Sequence, residues 1–213
     1  GGVVAGPGAG RLWPGRAPPT PPGARPPPPP PVAPRPAGGR GPPGHVFPID
    51  SCSLSTGIAL QVIEAGERIR AGMPAGEIAK EMQAIVPHCH ASFILDTLEF
   101  MKAGGRCSSL VAFGANLLSL KPCIEVDNAD GSMHVGKKYR GTLKKVLPQY
   151  VKDKLAQYPS IKRDHLFITY STIDPSYVEL VRQAVEEVME LREIQLTTAS
   201  CTIACHCAPN TQG

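Results

Sequence analysis

The chain has 213 residues, and residues 1–45 hold 16 of its 24 prolines, 11 of its 22 glycines, five arginines and no acidic residue. Residues 46–213 carry 17 basic and 18 acidic side chains, so the net charge of +4 is +5 from the first segment and −1 from the rest. A near-neutral body argues against a nucleic-acid domain, and no run approaches the ~18 apolar residues of a membrane span.

The opening GGVVAGPGAG has no basic stretch leading into an apolar core, which argues against a signal peptide. It also lacks an initiating Met and reads as the start of a fragment. Residues 1–45 buy too little apolar burial to offset backbone ordering, so they read as a disordered Pro/Gly/Arg-rich tail. Pro26 to Pro31 reads as polyproline II, and Arg25, Pro28 and Pro31 fit a basic-x-x-Pro-x-x-Pro ligand. The composition changes abruptly at His45-Val46, as if a foreign segment joined a domain already under way.

Residues 46–213 are long enough for one domain or two small lobes. Val46 to Asp50 reads as the end of a buried strand, and Ser51 to Gly57 as a small-residue loop. Ile58, Val62, Ala65 and Ile69 fall at helical spacing and predict one core-facing stripe, ended by Gly72. Pro74 opens a second helix with Ile78, Met82 and Ile85 inward, stopped by Pro87. Ala91 to Leu95 predicts a short strand, and Leu98 to Lys102 one or two helical turns before Gly104-Gly105. A helix through Leu110, Phe113, Leu117 and Leu118 follows, capped by Ser108 or Ser109.

Residues 122–127 and 132–136 predict a hairpin around Asn128-Ala129-Asp130-Gly131. A basic helix is expected from Arg140, with Leu143, Val146 and Leu147 inward and Pro148 bending or interrupting it. His165 to Tyr170 reads as a strand. Asp174-Pro175 is a strong helix start, followed by a stripe of Val178, Val181, Val185 and Val188. Ile194 and Leu196 alternate in what reads as the last strand. Strand, helix, strand at this length predicts a right-handed βαβ unit, and the fold class is α/β or α+β.

The chemistry-bearing motifs are few. No phosphate loop or dinucleotide fingerprint appears, so no cofactor is expected. The seven cysteines sit mostly singly in apolar stretches, the habit of reduced thiols in a cytoplasmic protein. His88-Cys89-His90 and Cys201, Cys205, His206 and Cys207 lack the paired Cys-x-x-Cys hooks of structural zinc, so no metal is expected. Neighbouring side chains in an extended segment point apart, which weakens Cys205 or Cys207 with His206 as a nucleophile pair. His206 is placed in a loop after the last strand, where α/β folds put ligand contacts and where an imidazole can donate to a carboxylate. Arg106, behind two glycines, offers a fork suited to an anion.

Five segments together resemble the DegV family. They are Ile49-Asp50-Ser51 with Ser55-x-Gly57; Leu98-Glu99-Phe100-Met101-Lys102-Ala103-Gly104-Gly105-Arg106; Leu117 to Pro122; Asp130-Gly131 with Lys138-x-Arg140-Gly141; and Ile203 to Asn210. Order and spacing hold across 46–213. The resemblance implies the C-terminal lobe and part of the N-terminal lobe of a two-lobe α/β fold that encloses one acyl chain. It implies no catalytic residue, a long-chain fatty acid as ligand, His206 and Arg106 at its carboxylate, and Arg140 as a docking residue. The partner implied is an ATP-binding fatty acid kinase subunit that forms an acyl phosphate for phospholipid synthesis. Helices at 58–72 and 110–120 would wall the pocket.

The sequence departs from the family in two ways. The hydroxyl-rich loops of the family's N-terminal half are absent, and the closing glycines are replaced by Ala204, Ala208 and Asn210. If positive φ is needed there, alanine costs on the order of 1 kcal/mol or more. Two rival expectations are an interaction protein without a ligand and a thiol or zinc enzyme built on 201–207.

Overall fold

The computed structural model describes residues 46–105 and 120–213, which all lie in one compact unit. Arg106, the 1–45 tail and the helix expected over 108–118 lie outside the described residues.

Helix α1 spans Thr56–Arg70 and α2 spans Ala75–Ile85, closed by a 3₁₀ turn over Val86–His88. Strand β1 is Ser92–Ile94, α3 is Glu99–Ala103, β2 is Leu120–Val126 and β3 is Met133–Arg140. Then come α4 (Leu143–Gln157), β4 (His165–Ser171), α5 (Pro175–Val188), β5 (Glu193–Thr198), α6 (Cys201–Cys207) and β6 (Thr211–Gln212). The six strands form one mixed sheet in the order β3-β2-β1-β6-β4-β5. β4 and β5 are parallel, as a βαβ unit requires, and every other pairing is antiparallel.

The β2–β3 hairpin closes on the expected four residues. Asp127 N–H donates to Ser132 O at 2.8 Å, and Gly131 takes the positive φ that the turn needs. Asp174 caps α5 by accepting from Ser176 N–H, with Pro175 in the first turn. One face of the sheet carries the main core. Ile94, Cys123, Tyr139 and Ile168 meet Val146, Leu147 and Val151 of α4 and Val181 and Val185 of α5. A smaller core on the other face joins Phe93, Leu95 and Ile124 to Met101 and Cys207.

Several local expectations are corrected. Residues 46–50 are not a buried strand: Val46 and Phe47 are exposed, no strand among the described residues pairs with them, and Phe47 lies against Gly76 of α2. The stripe of α1 faces outward, with Val62 64% and Ile69 65% exposed, while α1 turns Gly57 and Gln61 inward. Arg140 closes β3 rather than opening a helix. Pro148 does not interrupt α4. The carbonyl it frees belongs to Lys144 on the solvent side, and Leu147, Tyr150 and Val151 hold the helix by burial. Val188 is exposed as the last residue of α5 and Leu196 on the edge strand β5, and Ala184 completes the buried stripe. β5 is not the last strand: β6 follows, in the middle of the sheet.

Candidate functional site

His206 sits on the short helix α6 rather than in a loop. The helix forms because Ser200 caps it, accepting from the Ile203 N–H. Successive side chains therefore fan around a helix instead of alternating. Ile203 and Cys207, one turn apart, both face inward toward the smaller core. Cys201 and Cys205 stay exposed.

The His206 ring packs against Gly104, at the end of α3. A β-carbon on Gly104 would collide with His206 Nδ1, so only glycine permits this approach. Gly105 follows with φ +70°, in the left-handed region that favours glycine. The structure thus brings Gly104, the first glycine of the Gly104-Gly105 pair, to the histidine of the closing motif. His206 Nδ1 is buried with no hydrogen-bond partner among the described residues. A buried ring nitrogen without a partner is costly unless a ligand or water meets it.

The turn after α6 is held on several sides. Ser171 Oγ donates to Ala208 O at 2.8 Å, Asn210 N–H donates to Thr172 O at 3.0 Å, and Asn210 Nδ2 donates to Asp96 Oδ2 at 3.4 Å. Asp96 in turn pairs with Lys121. Within this clamp Ala208 is held at φ +73°, ψ 166°, a region suited almost only to glycine, and Asn210 at φ +61°, which asparagine tolerates. The substituted glycines therefore leave strain at Ala208 and little at Asn210.

Beside α6 an apolar groove of about 520 Å³ runs along the outer face of α1. Ile58, Ala59, Val62 and Ile63 form one wall, and Thr202 and Ile203 the other. Ile58 and Val62 belong to the stripe expected in the core. A larger cavity of about 870 Å³ lies where β1 and β4 part below β6. α1 borders both, and the Thr56 and Thr169 hydroxyls tie it to β4 at 2.8 Å. Ser53 Oγ, tucked against Gly57, is buried with no partner among the described residues. Sequence reasoning passed over this hydroxyl, since a serine in a small-residue loop carries no local signal of burial.

Gln212 Oε1 and Nε2 are likewise buried with no hydrogen-bond partner among the described residues. Glu64 on α1 is paired with Arg68 and with Lys162, each bridge under 3 Å. Burial raises the Glu64 carboxyl, but the hydrogen bonds from Lys162 and Arg68 outweigh that and hold it below its usual range. Burial pushes the Cys207 thiol up to about 11, with the nearby Cys205 adding to the shift, so Cys207 is a protonated core residue rather than a nucleophile. Among the described residues no three His, Cys, Asp or Glu side chains converge as metal ligands would. Arg140 stands exposed at the end of the edge strand β3, remote in the strand order from β6. No helix among the described residues is long and apolar enough to cross a membrane.

Residues 36–213 match the family model described as "Uncharacterised protein, DegV family COG1307". A DegV domain-containing protein of Deinococcus radiodurans is 30% identical over 117 residues, which is 54% of this chain and 41% of that relative. The DegV domain-containing protein YteA of Lactococcus lactis is 25% identical over 174 residues, 80% of this chain and 57% of its own length. A solved structure described as fatty acid binding of a DegV family protein from Thermus thermophilus is similar with TM-score 0.70 and 28% identity, covering 80% of this chain and 60% of that one. A DegV family protein from Eubacterium eligens loaded with heptadecanoic acid has TM-score 0.66 at 18% identity, covering 77% and 58%, a likeness of fold. The chain spans about half the length of these two curated relatives.

Proposed function

The chain belongs to the DegV family, and from that premise we propose that it binds one long-chain fatty acid, with the carboxylate at His206 and the acyl chain along α1. The observation that carries this reading is the buried, unpartnered Nδ1 of His206 held against Gly104. A carboxylate taken out of water requires donors, and a ring N–H supplies one. Arg106, next after Gly105, supplies a second, charged donor. The outward Ile58 and Val62, with Ile63 beside them in the groove, then have a use. Each methylene buried there stabilises the complex by ~0.8 kcal/mol.

The chain performs no chemistry of its own in this reading. It presents the carboxylate, in the cytoplasm, to a separate ATP-binding fatty acid kinase subunit that forms the acyl phosphate for phospholipid synthesis. Arg140 is the docking residue. Its exposure on an edge strand, with Lys137, Lys144 and Lys145 also exposed nearby in sequence, supports that role. The strain at Ala208, two residues after His206, favours a second reading, an interaction protein that has lost its ligand.

Solvent extraction and mass spectrometry of the purified protein separate the two. One fatty-acid class near one per chain is expected, and an empty protein leaves the second reading standing. In a binding titration, His206→Ala weakens affinity by the worth of a hydrogen bond to a charged group, ~1.5–3 kcal/mol. An unchanged affinity removes His206 from the site.

A further inference from the structure

Asn210 replaces a glycine of the closing motif, and its backbone still has the shape that suits glycine, with φ +61°. A glycine there would keep the bond from the residue-210 N–H to Thr172 O, at 3.0 Å. What asparagine adds is a side-chain amide. Its Nδ2 donates to Asp96 Oδ2 at 3.4 Å.

Asp96 is itself held in place. Lys121 on β2 pairs with its carboxylate and also donates to its main-chain oxygen at 3.3 Å. Asp96 lies in the short link between β1, which ends at Ile94, and α3, which begins at Glu99. Thr97 Oγ1 starts that helix by accepting from the Glu99 N–H at 3.3 Å. The acceptor offered to Asn210 is therefore oriented from β2 and stands at the root of α3.

The two ends of this bond lead to the two halves of the site. From Asp96 the chain runs through α3 to Gly104, and from Asn210 it runs back along the turn to His206, whose ring meets Gly104. Leu98 and Met101 pack with Ile203 and Cys207 in the smaller core between these segments. Apolar packing is non-directional and leaves sliding cheap, whereas a hydrogen bond carries a length and an angle. Ser171 and Thr172 hold the same turn toward β4. The bond to Asp96 ties it on the α3 side.

We propose that Asn210 is a positioning residue: through Asp96, oriented by Lys121, it fixes how His206 sits against Gly104 and so aims the unpartnered Nδ1 at a carboxylate. The proposal rests on the fatty-acid reading for its ligand, but the placement of His206 can be read without one.

The test uses the full 213-residue chain. It reads palmitate affinity, the denaturant midpoint, and the rate at which diethyl pyrocarbonate modifies His206 in the absence of lipid. Asn210→Gly removes the amide and eases the backbone. Palmitate affinity should fall about three- to tenfold, the worth of one modest hydrogen bond. His206 should react about threefold faster, while the midpoint stays level or rises. Asn210→Asp sets a second carboxylate against Asp96 and should weaken palmitate binding further. Adding Asp96→Asn to it exchanges donor and acceptor across the same gap, and should bring affinity and reactivity back to within about twofold of the starting protein. A midpoint that falls together with affinity in Asn210→Gly makes the amide a stability element and overturns the proposal. So does unchanged affinity, unchanged His206 reactivity, or a double variant no better than Asn210→Asp. If the unaltered chain takes up no palmitate, the fatty-acid reading falls by itself, and His206 reactivity then decides. Faster modification in Asn210→Gly that the double variant reverses upholds the positioning role, and an unchanged rate overturns it.

Discussion

Helices α1 and α5 carry the same kind of apolar stripe and meet opposite fates. In α5, Val178, Val181 and Val185 are 7%, 4% and 2% exposed, packed on β4 and α4. In α1, Ile58, Val62 and Ile69 face outward, and the helix is held instead by Gln61 to Ser51 O, by Thr56 to Thr169, and by the Glu64–Lys162 bridge. A helical period therefore identifies an apolar face but not what covers it. Burial against the sheet makes the stripe of α5 a stability element. The same pattern on α1 is available to a ligand.

The largest test of this contrast is truncation on each side. Leu147→Ala, on the fully buried α4 side, should cost about 2–5 kcal/mol in denaturant unfolding. Val62→Ser should stay within about 0.5 kcal/mol in the same experiment. A destabilisation by Val62→Ser comparable to that of Leu147→Ala would mean that the α1 stripe is core after all.

The strain at Ala208 gives the next effect. Ala208→Gly relieves a backbone region suited to glycine, against a smaller entropic loss in the unfolded chain. A net gain of about 1 kcal/mol is expected in thermal or denaturant unfolding. If the fatty-acid reading holds, affinity in the same variant rises or stays level. A loss of stability would show that the turn is not strained.

The smallest effect is electrostatic. Glu64 has its folded pKa below the unfolded value of about 4.3, so its contribution is present above that pH and fades as pH falls through the folded value. Glu64→Gln should flatten the acid side of the stability profile below about pH 4.5 and leave α5 unaffected. An unchanged acid slope would place the attachment of α1 in its hydroxyl and amide contacts instead.

Much of the fold was legible in the chain. Asp174-Pro175 names the start of α5, Asn128 to Gly131 names the hairpin loop, and strand–helix–strand spacing names the parallel β4–β5 pair. These signals are local, acting over a few residues. The site was legible only in part. The five motifs point to His206 and to the Gly104-Gly105 pair, but their meeting depends on α6 packing against α3 across about a hundred residues. Nothing near His206 announced a helix, because a seven-residue segment with three cysteines has weak periodicity and only Ser200 as a start signal.

By itself, then, the sequence determined most element types, the hairpin loop and the α5 cap, the charge contrast between residues 1–45 and the rest, and the family. Only the tertiary structure decided that α1 turns its stripe outward, that Ala208 must bear a glycine conformation, and that His206 meets Gly104. The reason is range. Helix caps and hairpin loops are settled by backbone sterics and hydrogen bonds within a few residues. Which face is covered, and which distant side chains meet, is settled by what the rest of the chain brings alongside.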